Sequence, residues 1–155
     1  MNVELAGGSI VGDIVIEAPP EAVFESLVSP QELEQWWGQD GMYRTHDWKV
    51  DLRPGGERSC LATSATGAVM TVRGVHLEVD PPRTLSHTWN PSWETELPET
   101  TVRYTLTAVP EGTLLHIEHT GFDNQHLKSQ EGHRDGWLRV LGWLSNHSKG
   151  KKVSV

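Results

Sequence analysis

Between Ile10 and Ala18 the chain alternates, with Ile14 and Ile16 on one face and Asp13, Val15 and Glu17 on the other, the period of a half-buried strand. Pro19-Pro20 ends it. Pro20 suits the first position of a helix and Glu21 its positive end, while Val23, Phe24, Leu27 and Val28 form one apolar stripe. Ser29-Pro30-Gln31-Glu32 is a capping-box pattern, so a second short helix begins there with Leu33, Trp36 and Trp37 at spacings of three and four. Two adjacent indoles cannot share one direction on a helix. One of Trp36 and Trp37 therefore packs in the core, and the other reaches the mouth of a pocket or solvent.

The middle of the chain is a meander, because strand alternation returns and turn residues recur at short intervals. Trp48, Val50 and Leu52 share a face before Pro54-Gly55-Gly56, and Arg58 to Ala62 follow before Thr66-Gly67. Ala68 to Val79 read as a longer strand, with Val75, Leu77 and Val79 opposite His76 and Glu78 until Asp80-Pro81-Pro82. Leu85, His87 and Trp89 then alternate, as do Val102, Tyr104 and Leu106. Pro110-Glu111-Gly112 is a hairpin loop leading to Leu115, Ile117 and His119. Together these make about seven strands.

Residues 129 to 147 read as a long helix with the stripe Trp137, Val140, Leu141 and Leu144. Gly132, Gly136 and Gly142 each cost it about 1 kcal/mol relative to alanine. They permit close approach to the sheet, or the part around Gly132 is loop. The order of elements predicts an α+β fold of one domain over residues 1–155, with 1–8 and 149–155 as flexible tails. A single helix across a bent antiparallel sheet need not fill the groove beneath it, so a cavity is expected there. The seven tryptophans are its natural lining.

The net charge of −8 repels a phosphate backbone, and the one basic cluster, Lys149, Lys151 and Lys152, sits in the expected tail, so no nucleic acid is expected. The single Cys60 forms no internal disulfide. No leader pattern and no apolar run long enough to span a membrane is present, and a cytoplasmic protein is the default.

The chemistry is sparse. There is no Gly-x-Ser-x-Gly elbow, Cys60 reads as a small buried hydrophobe, and no catalytic residue is assigned. His-Glu-x-x-His is absent, and His116 and His119 point to opposite faces of their strand; a metal site built from distant histidines such as His126 and His133 stays open. No metal or cofactor is expected. His87 and His119 fall by parity on the faces of Leu85, Trp89, Leu115 and Ile117. They are either core histidines satisfied by Tyr104 or a backbone carbonyl, or polar anchors that orient a ligand. Trp93, in a loop between prolines, caps the pocket entrance or serves a dimer contact. The residues expected to line the cavity are Trp37, Leu77, His87, Trp89, Tyr104, Ile117, His119, Trp137 and Leu141.

The runs Ala18-Pro19-Pro20-Glu21-Ala22-Val23-Phe24, Leu33-Glu34-Gln35-Trp36-Trp37-Gly38, Asp51-Leu52-Arg53-Pro54-Gly55-Gly56, Gly74 through Leu85, Thr88-Trp89, Gly112-Thr113, His119-Thr120-Gly121 and Gly136-Trp137 cover nearly the whole chain. In this order and spacing they resemble the SRPBCC (START-like, helix-grip) superfamily, in its branch related to the activator of heat shock protein 90 ATPase. The resemblance implies a helix-grip fold and an apolar pocket between sheet and C-terminal helix, used in that superfamily for small apolar molecules. Function has to be argued from the site rather than the fold. The favoured reading is a non-catalytic binding protein for a small apolar or amphipathic molecule. A chaperone-activator module with a chaperone as partner is the alternative, and a cyclase- or hydrolase-type enzyme using the same cavity is the third. A homodimer is compatible with each.

Overall fold

The structure, a computed structural model, describes residues 1–94 and 96–151. Strands β1 (Asn2–Ala6) and β2 (Ser9–Ile16) precede helices α1 (Pro20–Val28) and α2 (Pro30–Trp36). Strands β3 (Gly38–Gln39), β4 (Tyr43–Val50), β5 (Glu57–Ser64), β6 (Val69–Asp80), β7 (Thr84–Pro91), β8 (Thr100–Val109) and β9 (Gly112–Thr120) follow, then the long helix α3 (Leu127–Ser148). All strands join one antiparallel sheet in the order β1-β2-β9-β8-β7-β6-β5-β4-β3. The predicted α+β architecture is present, with nine strands in place of about seven. The added ones are β1 and the two-residue β3.

The first eight residues, expected as a tail, carry an edge strand. Asn2 to Ala6 pair with Asp13 to Ser9, and Gly7-Gly8 is the two-residue hairpin loop between them. A Cβ on Gly8 would come within 2.4 Å of the Phe122 carbonyl oxygen, so the turn accepts no side chain there. Gln130, 1% exposed, donates to the Gly7 and Ser9 carbonyls at 2.8 and 3.1 Å and fixes the start of α3 against this hairpin. At the other end, Gly150 N–H donates to the Glu17 carbonyl, and the Glu32 carboxylate receives Ser26, His147 and Lys151. Residues 152–155 of the expected second tail lie outside the described residues.

The helices form for the reasons their sequences state. Pro20 stands in the first turn of α1, whose Ala22, Val23, Phe24 and Leu27 are buried. Ser29 caps α2 by accepting the Glu32 N–H. Trp137, Val140, Leu141 and Leu144 form the buried stripe of α3. Under α1 and α3 the inner faces of β2, β7, β8 and β9 are filled by Ile14, Ile16, Leu85, Tyr104, Leu106, Leu115 and Ile117, all 8% exposed or less. The other half of the sheet is different. Cys60 and Ala62 point inward from β5 and Thr45 from β4, and these short side chains leave the space between that half and α3 open.

Candidate functional site

A cavity of about 570 Å³ occupies that space, a volume within the range of small-molecule sites. Its walls are Trp37 from the end of α2, Thr45 and Trp48 from β4, Cys60 and Ala62 from β5, Met70 and Val72 from β6, and Trp89 from β7. The roof is α3, through Gly132, His133, Gly136, Trp137 and Val140. These recur at spacings of three and four, one stripe of the helix. At the rim stand Trp93, Glu94, Lys128 and Arg139.

Trp37 is the hub of the wall. Its ring lies 6.2 Å from Trp89 in a near-parallel stack at 21°, 6.2 Å from Trp137 edge-on, and 5.9 Å from Trp48. The neighbouring Trp36 ring lies 5.1 Å from it on the core side and donates to the Ser26 carbonyl at 2.8 Å, between α1 and α2. Trp36 is thus the core indole of the pair and Trp37, at the extended C-cap of α2, the cavity indole, with their rings in contact.

Three wall indoles spend their N–H groups on protein acceptors. Trp48 donates to Thr45 Oγ1 at 2.9 Å, Trp89 to His133 Nε2 at 3.1 Å and Trp137 to His119 Nδ1 at 3.0 Å. Since an indole nitrogen only donates, both histidine nitrogens are acceptors. His133 then donates from Nδ1 to the Ser129 carbonyl at 2.8 Å, and His119 from Nε2 to Thr100 Oγ1 at 2.8 Å. With these groups satisfied, the four indoles present chiefly their apolar faces to the cavity. Burial, with His133 close by, pushes the His119 imidazole down to about 3, so it is neutral at ordinary pH. Cys60 is buried too, and its thiol is pushed up to about 12 by burial, with the Arg58 guanidinium opposing.

Of the nine residues expected to line the cavity, the structure brings Trp37, Trp89 and Trp137 to its wall. His119 stands behind Trp137, while Tyr104, Ile117 and Leu141, each 1% exposed or less, are packed in the filled half of the core. His87 borders a separate small chamber described below. Leu77 is a correction: it lies on the outer face and is 51% exposed. Gly74 and His76 turn inward, so Leu77 faces outward with Val75; the β6–β7 register then slips between His76 and Glu78 and brings Val79 back inward, which breaks the expected parity from Val75 to Val79.

Sequence reasoning placed the cavity under α3 and found Trp137 in its roof, but missed the β4–β6 wall and the other roof residues. One signal was present. Arg58, Cys60 and Ala62 alternate with Ser59 and Leu61, and small residues at inward positions mark a sheet region that cannot fill its own groove. The glycines of α3 serve the same end. A Cβ at Gly132 would meet nothing within 4 Å, and one at Gly136 only Arg139 Nη2 at 3.9 Å. They open room beneath the helix instead of bringing it closer to the sheet.

The fold recurs in solved structures. A protein from Chromobacterium violaceum is 23% identical, covers 93% of this chain and 99% of its own, and superposes with a TM-score of 0.82. A protein from Arthrobacter aurescens is 16% identical over 97% of this chain and 92% of its own, with a TM-score of 0.85. An AHSA1-like protein from Aeromonas hydrophila is 21% identical over 90% of each chain, with a TM-score of 0.74. At these identities the likeness is one of fold. No curated protein matches the sequence. No helix among the described residues is long and apolar enough to cross a membrane. A family model described as Activator of Hsp90 ATPase homolog 1-like protein matches residues 17–148, and to that family the chain belongs.

Proposed function

We propose that this protein binds a small, flat, largely apolar molecule in the cavity between β4–β6 and α3, and that it does so without chemistry on the ligand. The observation that carries the reading is the wall of Trp37, Trp48, Trp89 and Trp137 around about 570 Å³, with its indole N–H groups mostly engaged elsewhere. Such a wall offers π faces and dispersion contacts, and discriminates by shape. Two glycines in one helix stripe cost that helix stability and widen this space. Tryptophan fluorescence reports directly on the site. Titration with naphthalene, and thermal shift against aromatics, fatty acids and polyketides, is expected to give saturable quenching and a raised Tm, by about 2.7 kcal/mol of stability at a hundredfold excess over Kd. Absence of any effect across all three classes overturns the reading.

The family description favours a second reading, activation of a chaperone ATPase through the protein surface. The two separate on one variant. Filling the cavity with Gly136→Leu abolishes a function that depends on the ligand and leaves a surface function intact.

A further inference from the structure

Next to the tryptophan wall is a second, much smaller chamber of about 10 Å³. Arg58 and His87 line it together with Trp37, Trp48, Val72 and Trp89, and the last four also line the main cavity. A molecule lying against those indoles therefore has its edge at the chamber.

The chemistry around the chamber is incomplete. Arg58, His76, His87 and Tyr104 are each 5% exposed or less, yet Arg58 Nη1, His76 Nε2, His87 Nε2 and the Tyr104 hydroxyl have no hydrogen-bond partner among the described residues. The His87 ring lies 6.3 Å from His76 and 5.7 Å from Tyr104, so the four form one cluster around His87. Leaving such atoms unpaired costs about 1–3 kcal/mol each, and more for a charged group. Arg58 is the extreme case. Nη2 donates to the Leu27 carbonyl in the last turn of α1 at 3.3 Å, and the guanidinium lies 5.6 Å from the centre of the Trp48 ring, which leaves Nη1 with donors to spare.

The pattern of donors and acceptors limits what fits. His87 Nδ1 is 2.8 Å from the Thr88 carbonyl and His76 Nδ1 is 3.1 Å from the Gly56 carbonyl, so both carry their protons on Nδ1 and present bare Nε2 atoms. An anion would satisfy Arg58 and Tyr104 but face those lone pairs. A hydroxyl accepts from the guanidinium and donates to an imidazole. Room for one water-sized group at most makes it a single oxygen.

We propose that the chamber is the polar end of the binding site and takes the hydroxyl of a phenol or alcohol on an otherwise apolar molecule, held between Arg58 Nη1 and His87 Nε2. This rests on the cavity reading above and narrows it to hydroxylated apolar ligands. A water molecule has the same hydrogen-bonding chemistry, so the test compares probes that differ only in the group they bring. Naphthalene, 2-naphthol and 2-naphthoate are titrated by tryptophan quenching into the wild type, Arg58→Met and His87→Phe. A hydrogen bond to a charged group predicts that the wild type binds 2-naphthol about tenfold or more tighter than naphthalene. 2-Naphthoate gains nothing. In both variants 2-naphthol falls to within about twofold of naphthalene measured on the same variant. If Arg58→Met fails to fold, His87→Phe carries the comparison alone.

Equal affinity for naphthalene and 2-naphthol in the wild type overturns the proposal and leaves water as the chamber's occupant, with the cavity reading intact. Preference for 2-naphthoate, or a hydroxyl advantage that survives in the variants, also overturns it. Failure of all three probes while a fatty acid or polyketide binds overturns this inference and leaves the cavity reading intact; failure of every class removes both.

Discussion

Trp137 reaches across from α3 and donates its indole N–H to Nδ1 of His119 on β9 over 3.0 Å. That contact fixes the imidazole as a neutral acceptor on one side and a donor to Thr100 on the other, because protonating Nδ1 would set two N–H groups face to face. It ties the helix to the sheet behind the cavity wall.

A pH dependence follows. His119 is pushed down to about 3 by burial, and His87 is held well below its usual value, again chiefly by burial. Below an unfolded value of about 6.5, the unfolded chain takes up protons that the folded chain refuses, so stability falls with pH. The contribution of His119 is complete above about 6.5 and is lost as the pH drops toward 3. Calorimetry from pH 8 to 4 is expected to show a Tm that falls below about 6.5. His119→Gln, less stable at neutral pH, shows a shallower fall. An equal slope in both proteins contradicts the assignment.

Cavity volume and helix stability trade against each other in α3. Replacing Gly136 removes a helix penalty of about 1 kcal/mol. Gly136→Leu projects its side chain into open space, where only Arg139 Nη2 is near. The expected outcome is an unchanged or raised Tm together with a loss of about tenfold or more in naphthalene affinity, roughly the effect of filling an apolar site by a few methylenes. A variant that folds and binds naphthalene normally would place the ligand elsewhere.

Cys60 lines the cavity but is a poor nucleophile, since burial pushes its thiol up to about 12. Alkylation by N-ethylmaleimide at pH 7.5 is expected to be far slower than that of free cysteine. Its rate should climb without a plateau up to about pH 10, because thiolate stays a small fraction throughout. Mass spectrometry of the time course reads both features.

Glu32 fastens the end of the chain. Burial raises its carboxyl, but hydrogen bonds from Lys151, His147 and Ser26 outweigh burial and hold it below the usual carboxylate range. Its contribution is therefore present above an unfolded value of about 4.5 and is lost as the pH falls through the folded one. Glu32→Gln is expected to cost about 1 kcal/mol in urea unfolding at pH 7, and the difference from wild type to shrink at pH 3.

Much of the fold was legible because it depends on neighbours in sequence. Pro20, the Ser29 cap and the Trp137-Val140-Leu141-Leu144 stripe act within a turn or two of helix, and all three helices stand where these residues place them. The Gly7-Gly8 hairpin is equally local, yet the alternation across Asn2–Ala6 is too short to announce a strand and reads as a tail. The β6 slip at His76 to Glu78 was not legible. A bulge is decided by the partner strand: it turns Val79 inward, while Leu77 keeps the outward face of Val75 and so lies at the surface.

By itself the sequence determined that one long amphipathic helix would cover a sheet too large for it, and that indoles would gather in the gap. Which half of the sheet stayed open was a tertiary matter. The gap is the difference between volumes supplied by residues far apart in the chain. Leu85, Tyr104 and Ile117 fill one side, while Thr45, Cys60, Ala62 and the bare face at Gly132 and Gly136 fail to fill the other. No single segment contains that difference, and packing alone sums it.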